Sequence, residues 1–293
     1  MNRIKKHKSK NEYMITDDVW VRNFCKEKVA YLSLNKTTLE ESHLFMSNEI
    51  ENRKIISRNI TIEDLRHNNV LIVSSGYNFE KMHLFLHKLK YKDVTVIAVN
   101  RALRDWKLIK DCKPEERRAV NFLLVNNPYK ECMRSMPQNH KFFPPCIAST
   151  RTNNSFCEKY EGDILFYPPT TDTTYSGPPI KSNYYIDDYR NPICAALGIA
   201  WQFKAKKIML LCCDDSFEDE RPGSRKLENG LHCYPQQIMS QNIIEANLFW
   251  LKQAGVQLAD YSSGIKYSNA DYIKSEDEAL SFFKDEDGIL LSS

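Results

Sequence analysis

The adjacent carboxylates Asp214-Asp215 and, in the loop that follows them, His232 are the groups in this chain best suited to acid–base chemistry. Carboxylates at the end of an apolar run can hold Mg²⁺ on a diphosphate or orient a substrate hydroxyl. Buried together without a cation, they would repel each other and one would stay protonated. The plainer reading makes them a loop cap beside Ser216. His232, the one histidine in the carboxyl-terminal half, suits a general base acting on a hydroxyl, although a loop histidine can equally be solvated. Arg151, in Ser149-Thr150-Arg151-Thr152-Asn153, and Arg190, beside Tyr184, Tyr185 and Tyr189, are groups that can neutralise a leaving phosphate. Against this, Arg190 can pair with Asp187 or Asp188 while the tyrosines pack in the core.

Such groups need a frame, and three apolar runs supply one. Val70 to Val73 runs into Ser74-Ser75-Gly76, Val94 to Val99 into Asn100-Arg101, and Ile208 to Leu211 into Cys212-Cys213-Asp214-Asp215. Each reads as a buried strand whose carboxyl end carries polar groups to one sheet edge, where open α/β folds bind ligands. Between a strand and a helix, the free amides of Ser74, Ser75 and Gly76 favour an anion. The sequence there is neither G-x-G-x-x-G nor a P-loop, and a simple tight turn is the alternative. Asn100 can hydrogen-bond a base or ribose or cap the next helix, and Arg101 can pair with phosphate. Asn126-Asn127, after a strand at 121–125, carries the same ambiguity.

Strand and helix patterns alternate: strands at 70–74, 94–99, 121–125, 207–213 and 256–259, with helices at 78–90, 101–110, 192–203 and 236–253. The expected fold is α/β, a doubly wound, mostly parallel Rossmann-like sheet of about five strands. Residues 1–60 form a basic amino-terminal extension with a helix over 38–50, and residues 61–293 form the main domain. Inside it, about 137–189 is rich in Pro, Thr, Tyr and Asn with short strands only at 145–148 and 164–167, which suits a lid or binding loop.

The composition is that of a soluble globular protein: 293 residues, 42% apolar, 27% charged, formal net charge +3. No apolar run is long enough to span a bilayer, and Met1 to Lys10 is basic with no apolar stretch behind it, which points to the cytoplasm. Nine cysteines without regular spacing make neither a disulfide framework nor a zinc site. Cys194, Cys212 and Cys213 read as small buried hydrophobes. The basic tail is a solvated terminus or an arm for a phosphate-rich partner.

The stretch Val70 to Leu103, with its strand, Ser-Gly turn, amphipathic helix and the ending Val-Ile-Ala-Val-Asn-Arg-Ala-Leu, resembles the MptE-like family. That family holds archaeal hydroxymethylpterin diphosphokinases and the central domain of flagellin glycosylation factors. It is also similar to small bacterial sialyltransferases. Both groups usually carry Gly-Pro-Ser-Leu where this chain has Gly76-Tyr77-Asn78-Phe79. Ala195 to Phe217 resembles their helix, basic turn and strand ending in Gly-x-Asp-Phe, with Cys-Cys-Asp-Asp in place of Gly-x-Asp.

The resemblance implies a glycosyltransferase-like enzyme that takes a sugar from a nucleotide-activated donor, with His232 as base on the acceptor hydroxyl. Its alternatives are a Mg²⁺-dependent diphosphokinase using ATP, or a non-catalytic nucleotide-binding module. No cofactor motif is present. The acceptor, whether glycan, protein, small molecule or modified nucleic acid, is left open.

Overall fold

The computed structural model describes residues 39–55, 58–59, 68–77, 79, 89, 94–105, 120–137, 143–169, 186, 188, 191–214 and 216–284. Most of the expected helices at 78–90 and 101–110 and the basic tail lie outside them, as do Asp215, Tyr185 and Arg190.

The strands are β1 (Arg58–Asn59), β2 (Asn69–Val73), β3 (Thr95–Val99), β4 (Phe122–Val125), β5 (Cys146–Ser149), β6 (Ile164–Tyr167), β7 (Lys207–Leu211), β8 (Arg225–Lys226), β9 (His232–Cys233), β10 (Gln257–Tyr261) and β11 (Asp271–Tyr272). Nine of them form one sheet in the order β1-β6-β5-β4-β3-β2-β7-β10-β11, and every pairing in it is parallel. The sheet is thus wider than the five strands expected. The two short strands expected within 137–189 are full members of it, as β5 and β6.

Parallel sheets are covered on both faces, so their strands read as continuous apolar runs. Val70, Ile72, Ile97, Leu124, Ile208 and Leu210 face one layer, built from α4 (Pro192–Gln202) and α5 (Pro235–Gln253). Leu71, Val73, Val96, Leu123, Met209 and Leu211 face the other, which includes α3 (Asn154–Lys159) and α6 (Glu276–Phe282). Asn191 caps α4, its Oδ1 accepting from the amides of Ile193 and Cys194, and Pro192 follows at the first turn. The short α2 (Ala102–Asp105) follows β3.

The amino-terminal helix, α1 (Leu39–Ile55), docks through polar side chains. Asn52 Nδ2 donates to the carbonyls of Thr150 (3.0 Å) and Thr152 (2.7 Å), and Asn48 Nδ2 to those of Pro128 (2.9 Å) and Arg151 (3.2 Å). Glu49, 2% exposed, sits 3.3 Å from Arg53 and 3.6 Å from Arg151. Ile50, by contrast, is 52% exposed. The reason is the surface it covers: the turn after β5 presents carbonyls, and buried carbonyls require donors. Asn52→Leu keeps the branched shape and removes both donated hydrogen bonds. It is expected to cost about 3 kcal/mol, read as a lowered denaturation midpoint with an unchanged slope.

Candidate functional site

From β2 the strand order runs outward through β3 to β6 on one side and through β7 to β11 on the other. The chain reverses direction across the sheet between β2 and β7, and in such folds a crevice opens there beyond the carboxyl ends of the strands. Three loops meet at this point, and Asp214 lies at their centre.

The loop after β2 is held against β7: the Ser74 amide donates to the Leu211 carbonyl and the Gly76 amide to the Cys212 carbonyl, both at 2.9 Å. A Cβ on Gly76 would collide with Asp214 Oδ1. The loop after β10 closes from the other side, where a Cβ on Gly264 would collide with Asp214 Oδ2 and Ser216 Oγ. Both loops carry the same tripeptide, Ser74-Ser75-Gly76 and Ser262-Ser263-Gly264. Each glycine is required because the carboxylate fills the space a side chain would take.

Asp214 is fully buried. Ser216 Oγ donates to its Oδ2 at 2.7 Å, and Gln241 Nε2 holds its backbone carbonyl at 2.7 Å. Burial pushes its titration up to about 6, offset in part by the Ser216 hydroxyl and by the amides of Asp214 itself, Tyr77 and Ile265. Even so, Oδ1 meets no donor at hydrogen-bonding geometry.

A second carboxylate, Asp260 at the end of β10, is also fully buried and is pushed up to about 7, chiefly by burial. Ser262 and the Tyr267 amide favour its charge, whereas Asp214 and Glu245 oppose it. Tyr267 locks the two strands together, its amide donating to Asp260 Oδ2 (3.3 Å) and its hydroxyl to the Cys213 carbonyl (2.7 Å). Cys194, Cys212 and Cys213 are buried, as expected of small hydrophobes. Burial raises the Cys212 thiol well above its usual range, which keeps it unreactive.

This edge of the sheet is strained as well as polar. Asn100 (φ 48°) and Cys212 (φ 52°) both adopt left-handed backbone at strand ends. Such residues cost on the order of 1 kcal/mol each and tend to collect at functional sites. Asn100 is half-buried, and its Oδ1 lacks a partner. Arg101 beside it is exposed.

His232 reaches the same edge on a hairpin. β8 and β9 pair antiparallel, and Phe217 and His232 exchange backbone hydrogen bonds at 2.9 and 2.8 Å. The hairpin is tied to the β2 loop by Tyr77, whose hydroxyl donates to Glu218 (2.6 Å). The Nδ1 of His232 is buried without a partner.

The other expected residues stand farther along the edge. Asn126 Nδ2 lies 3.5 Å from Asp188 Oδ2, which also accepts from Tyr167 Oη at 2.9 Å. Asn127 Oδ1 accepts from the Tyr129 amide, fixing a turn. Arg151 follows β5, four strands or about 19 Å from β7, and its guanidinium pairs with Glu49. The sequence reading missed Asp260, Gly264 and Tyr267. The repeated Ser-Ser-Gly was the signal for them.

Among the described residues no three His, Cys, Asp or Glu side chains gather as ligands for a metal. Asp214 is a poor Mg²⁺ ligand for a substrate, because its carboxylate is fully buried and wedged between two glycine loops. No helix among those residues is long and apolar enough to cross a membrane.

No protein-family model matches the sequence, and no curated protein matches it. Among solved structures, the fold is similar to that of the MAf glycosyltransferase from Magnetospirillum magneticum AMB-1, with a TM-score of 0.53 and 14% identity. The match covers 77% of this chain and 37% of that one. At this identity the likeness is one of fold, and it lends no support to the similarity with small sialyltransferases.

Proposed function

We propose that the protein is a transferase that binds a nucleotide-activated sugar in the crevice between β2 and β7 and passes the sugar to a hydroxyl acceptor. The observation that carries this reading is the convergence of the two Ser-Ser-Gly loops and the Asp214 turn at the point where the strand order reverses. The similar fold of a glycosyltransferase supports it.

The Ser74 and Gly76 amides are spent on the Leu211 and Cys212 carbonyls, which corrects the expectation of free amides there, so Ser74, Ser75 and Gly76 act as a wall against which the nucleotide lies, with Asn100 at the neighbouring strand end. Arg101, Asn126 and Asn127 line the edge beside them. Tyr185 and Arg190 take the role their types suggest, neutralising the leaving phosphate. Arg151, paired with Glu49, contributes by fixing the turn after β5.

His232 accepts the proton of the acceptor hydroxyl. The acceptor oxygen then bonds to the anomeric carbon while the carbon–oxygen bond to phosphate breaks, and the electron pair leaves on the nucleotide. Asp214, walled off from solvent, acts as a positioning residue that sets the distance between the β2 and β10 loops. Asp215, next to it, is the second candidate for the base.

The test is incubation with a panel of nucleotide sugars, and separately with ATP, Mg²⁺ and a hydroxymethylpterin, identifying the nucleotide released. Release of a sugar-donor nucleotide is the expected result. AMP formation dependent on Mg²⁺ and the pterin would establish the diphosphokinase instead, and saturable nucleotide binding without turnover a binding module. His232→Gln is expected to lower turnover by about 10²–10⁴-fold while donor affinity, measured by calorimetry, is retained. Unchanged turnover would remove His232 from the mechanism.

A further inference from the structure

His232 sits at the centre of a small antiparallel ribbon, with a pairing partner on each side. Phe217 exchanges both backbone hydrogen bonds with it, at 2.9 and 2.8 Å, and Lys226 stands opposite it on β8. Residues directly opposite in an antiparallel pair turn their side chains to one face, with Cβ atoms about 5 Å apart. Tyr234, two residues on from His232, belongs to the same face by the period of a strand, and its ring packs 5.3 Å from that of Phe217.

A second cation reaches this face from the loop between Phe217 and β8. The guanidinium of Arg221 lies over the Phe217 ring, 4.1 Å from its centre. Its backbone is fixed by the turn Arg221-Pro222-Gly223-Ser224. The Ser224 amide donates to the Arg221 carbonyl at 2.9 Å, and Gly223 takes the positive φ (81°) that the third position of a type II turn requires. Ser224 Oγ adds a bond of 2.7 Å to the same carbonyl and accepts from the Arg221 amide at 3.0 Å. His232 is thus flanked by Lys226 on one side and, on the other, by Arg221 stacked on Phe217.

Both cations are exposed, and neither has an acidic partner among the described residues. This holds although Glu218, Asp219 and Glu220 immediately precede Arg221. Glu218 is engaged elsewhere, by the Tyr77 hydroxyl. An arginine that passes over three adjacent carboxylates and lies on a ring keeps the N–H edges of its fork unspent. Stacked and anchored by its turn, it has already given up much of the freedom that binding would cost.

The position of the base says which reactant these cations meet, and here the inference rests on the transferase reading. In a single displacement the base works on the face of the sugar ring opposite the leaving group. Groups on the order of 10 Å from His232, on its own face of the ribbon, therefore serve the acceptor and not the nucleotide.

We propose that this face of the hairpin is the acceptor site, and that the acceptor carries an anionic group, a carboxylate or a phosphate, held by Arg221 and Lys226 while its hydroxyl is presented to His232. Arg221 supplies a planar, two-pronged contact and Lys226 a point charge. Phe217 is a positioning residue that holds the guanidinium in place.

The test uses three sugars of one scaffold, glucose, glucuronate and glucose 6-phosphate, titrated into the full chain at about 0.15 M salt and read by ligand-observed magnetic resonance. At least one of the anionic sugars is expected to bind about 10-fold more tightly than glucose, the effect of one charge-assisted contact. Which of them gains identifies carboxylate or phosphate as the group. Arg221→Gln with Lys226→Gln is expected to abolish the preference, and Phe217→Leu to weaken it with both charges in place. Lys204→Gln with Lys252→Gln makes the same change in charge at the amino-terminal edge of the sheet and should leave the preference intact. Equal binding of the three sugars by the parent would overturn the proposal, as would a preference that survives the Arg221/Lys226 variant or disappears in the Lys204/Lys252 control. The measurement needs neither donor nor turnover. Nucleotide release without an anion preference would overturn the acceptor site and leave the transferase, whereas an Arg221-dependent preference in a protein that releases no sugar-donor nucleotide would support the anion site and overturn the reaction assigned to it.

Discussion

Gly264→Ala is expected to be among the most destabilising single-methyl changes in the molecule. The new Cβ would overlap Asp214 Oδ2, Asp214 Cγ and Ser216 Oγ, all of which are buried and none of which is the free end of a flexible side chain. Either the β10 loop moves away or the carboxylate turns and loses the Ser216 hydroxyl held at 2.7 Å. Overpacking together with a lost hydrogen bond to a charged group costs about 3 kcal/mol, or about 6–10 °C in melting temperature for a protein of this size. If the protein is the transferase proposed above, the same displacement should lower its affinity for the nucleotide donor in parallel.

The compensating change makes the prediction specific. Asp214→Ala leaves a void where the carboxylate was, and the Gly264→Ala methyl fits into it. The double variant is therefore expected to be more stable than the sum of the single changes by about 1–2 kcal/mol. Strict additivity in thermal melts would mean that Gly264 and Asp214 do not meet as described.

The second large effect is a stability that declines as pH rises. Asp214 and Asp260 titrate near 6 and 7 in the folded protein, above the 3.8 of an unperturbed aspartate. Between pH 4 and 7 the folded state therefore holds protons that the unfolded chain has released. Stability from these groups is complete below about pH 4 and is lost as pH rises through 6 and then 7. Between pH 5.5 and 8 the loss amounts to about 2–3 kcal/mol. Asp260→Asn removes the larger share of it, because a neutral amide in that position never has to ionise. The variant should match the parent at pH 5.5 and melt above it at pH 8. A parent whose melting temperature stays flat across that window would contradict the burial of the pair.

How far the sequence could be read depended on whether a residue's partners were near it in the chain. The strands β2, β3 and β7 were legible because a buried parallel strand is apolar on both faces and stops at polar residues. The helix expected at 192–203 was legible too, because apolar periodicity and a proline at the first turn are local signals. The docking face of α1 was less so. Asn48, Glu49 and Asn52 look like solvent-facing residues of a surface helix until the carbonyls of Thr150, Arg151 and Thr152 are placed opposite them.

The site shows the same division. By itself the sequence determined which residues would reach a sheet edge: Ser74-Ser75-Gly76, Asn100 and Asp214 each end an apolar run, and alternation along a strand is a local property. Only the tertiary structure decided that β2 lies beside β7 and β7 beside β10, and so which strand ends share a crevice. Strand order is set by pairing between segments distant in the chain, whose apolar runs are nearly interchangeable. That order presses both Ser-Ser-Gly loops onto Asp214, brings Asp260 in as a second buried acid and leaves Arg151 with Glu49. It also wedges the Asp214 carboxylate between Gly76 and Gly264, away from solvent.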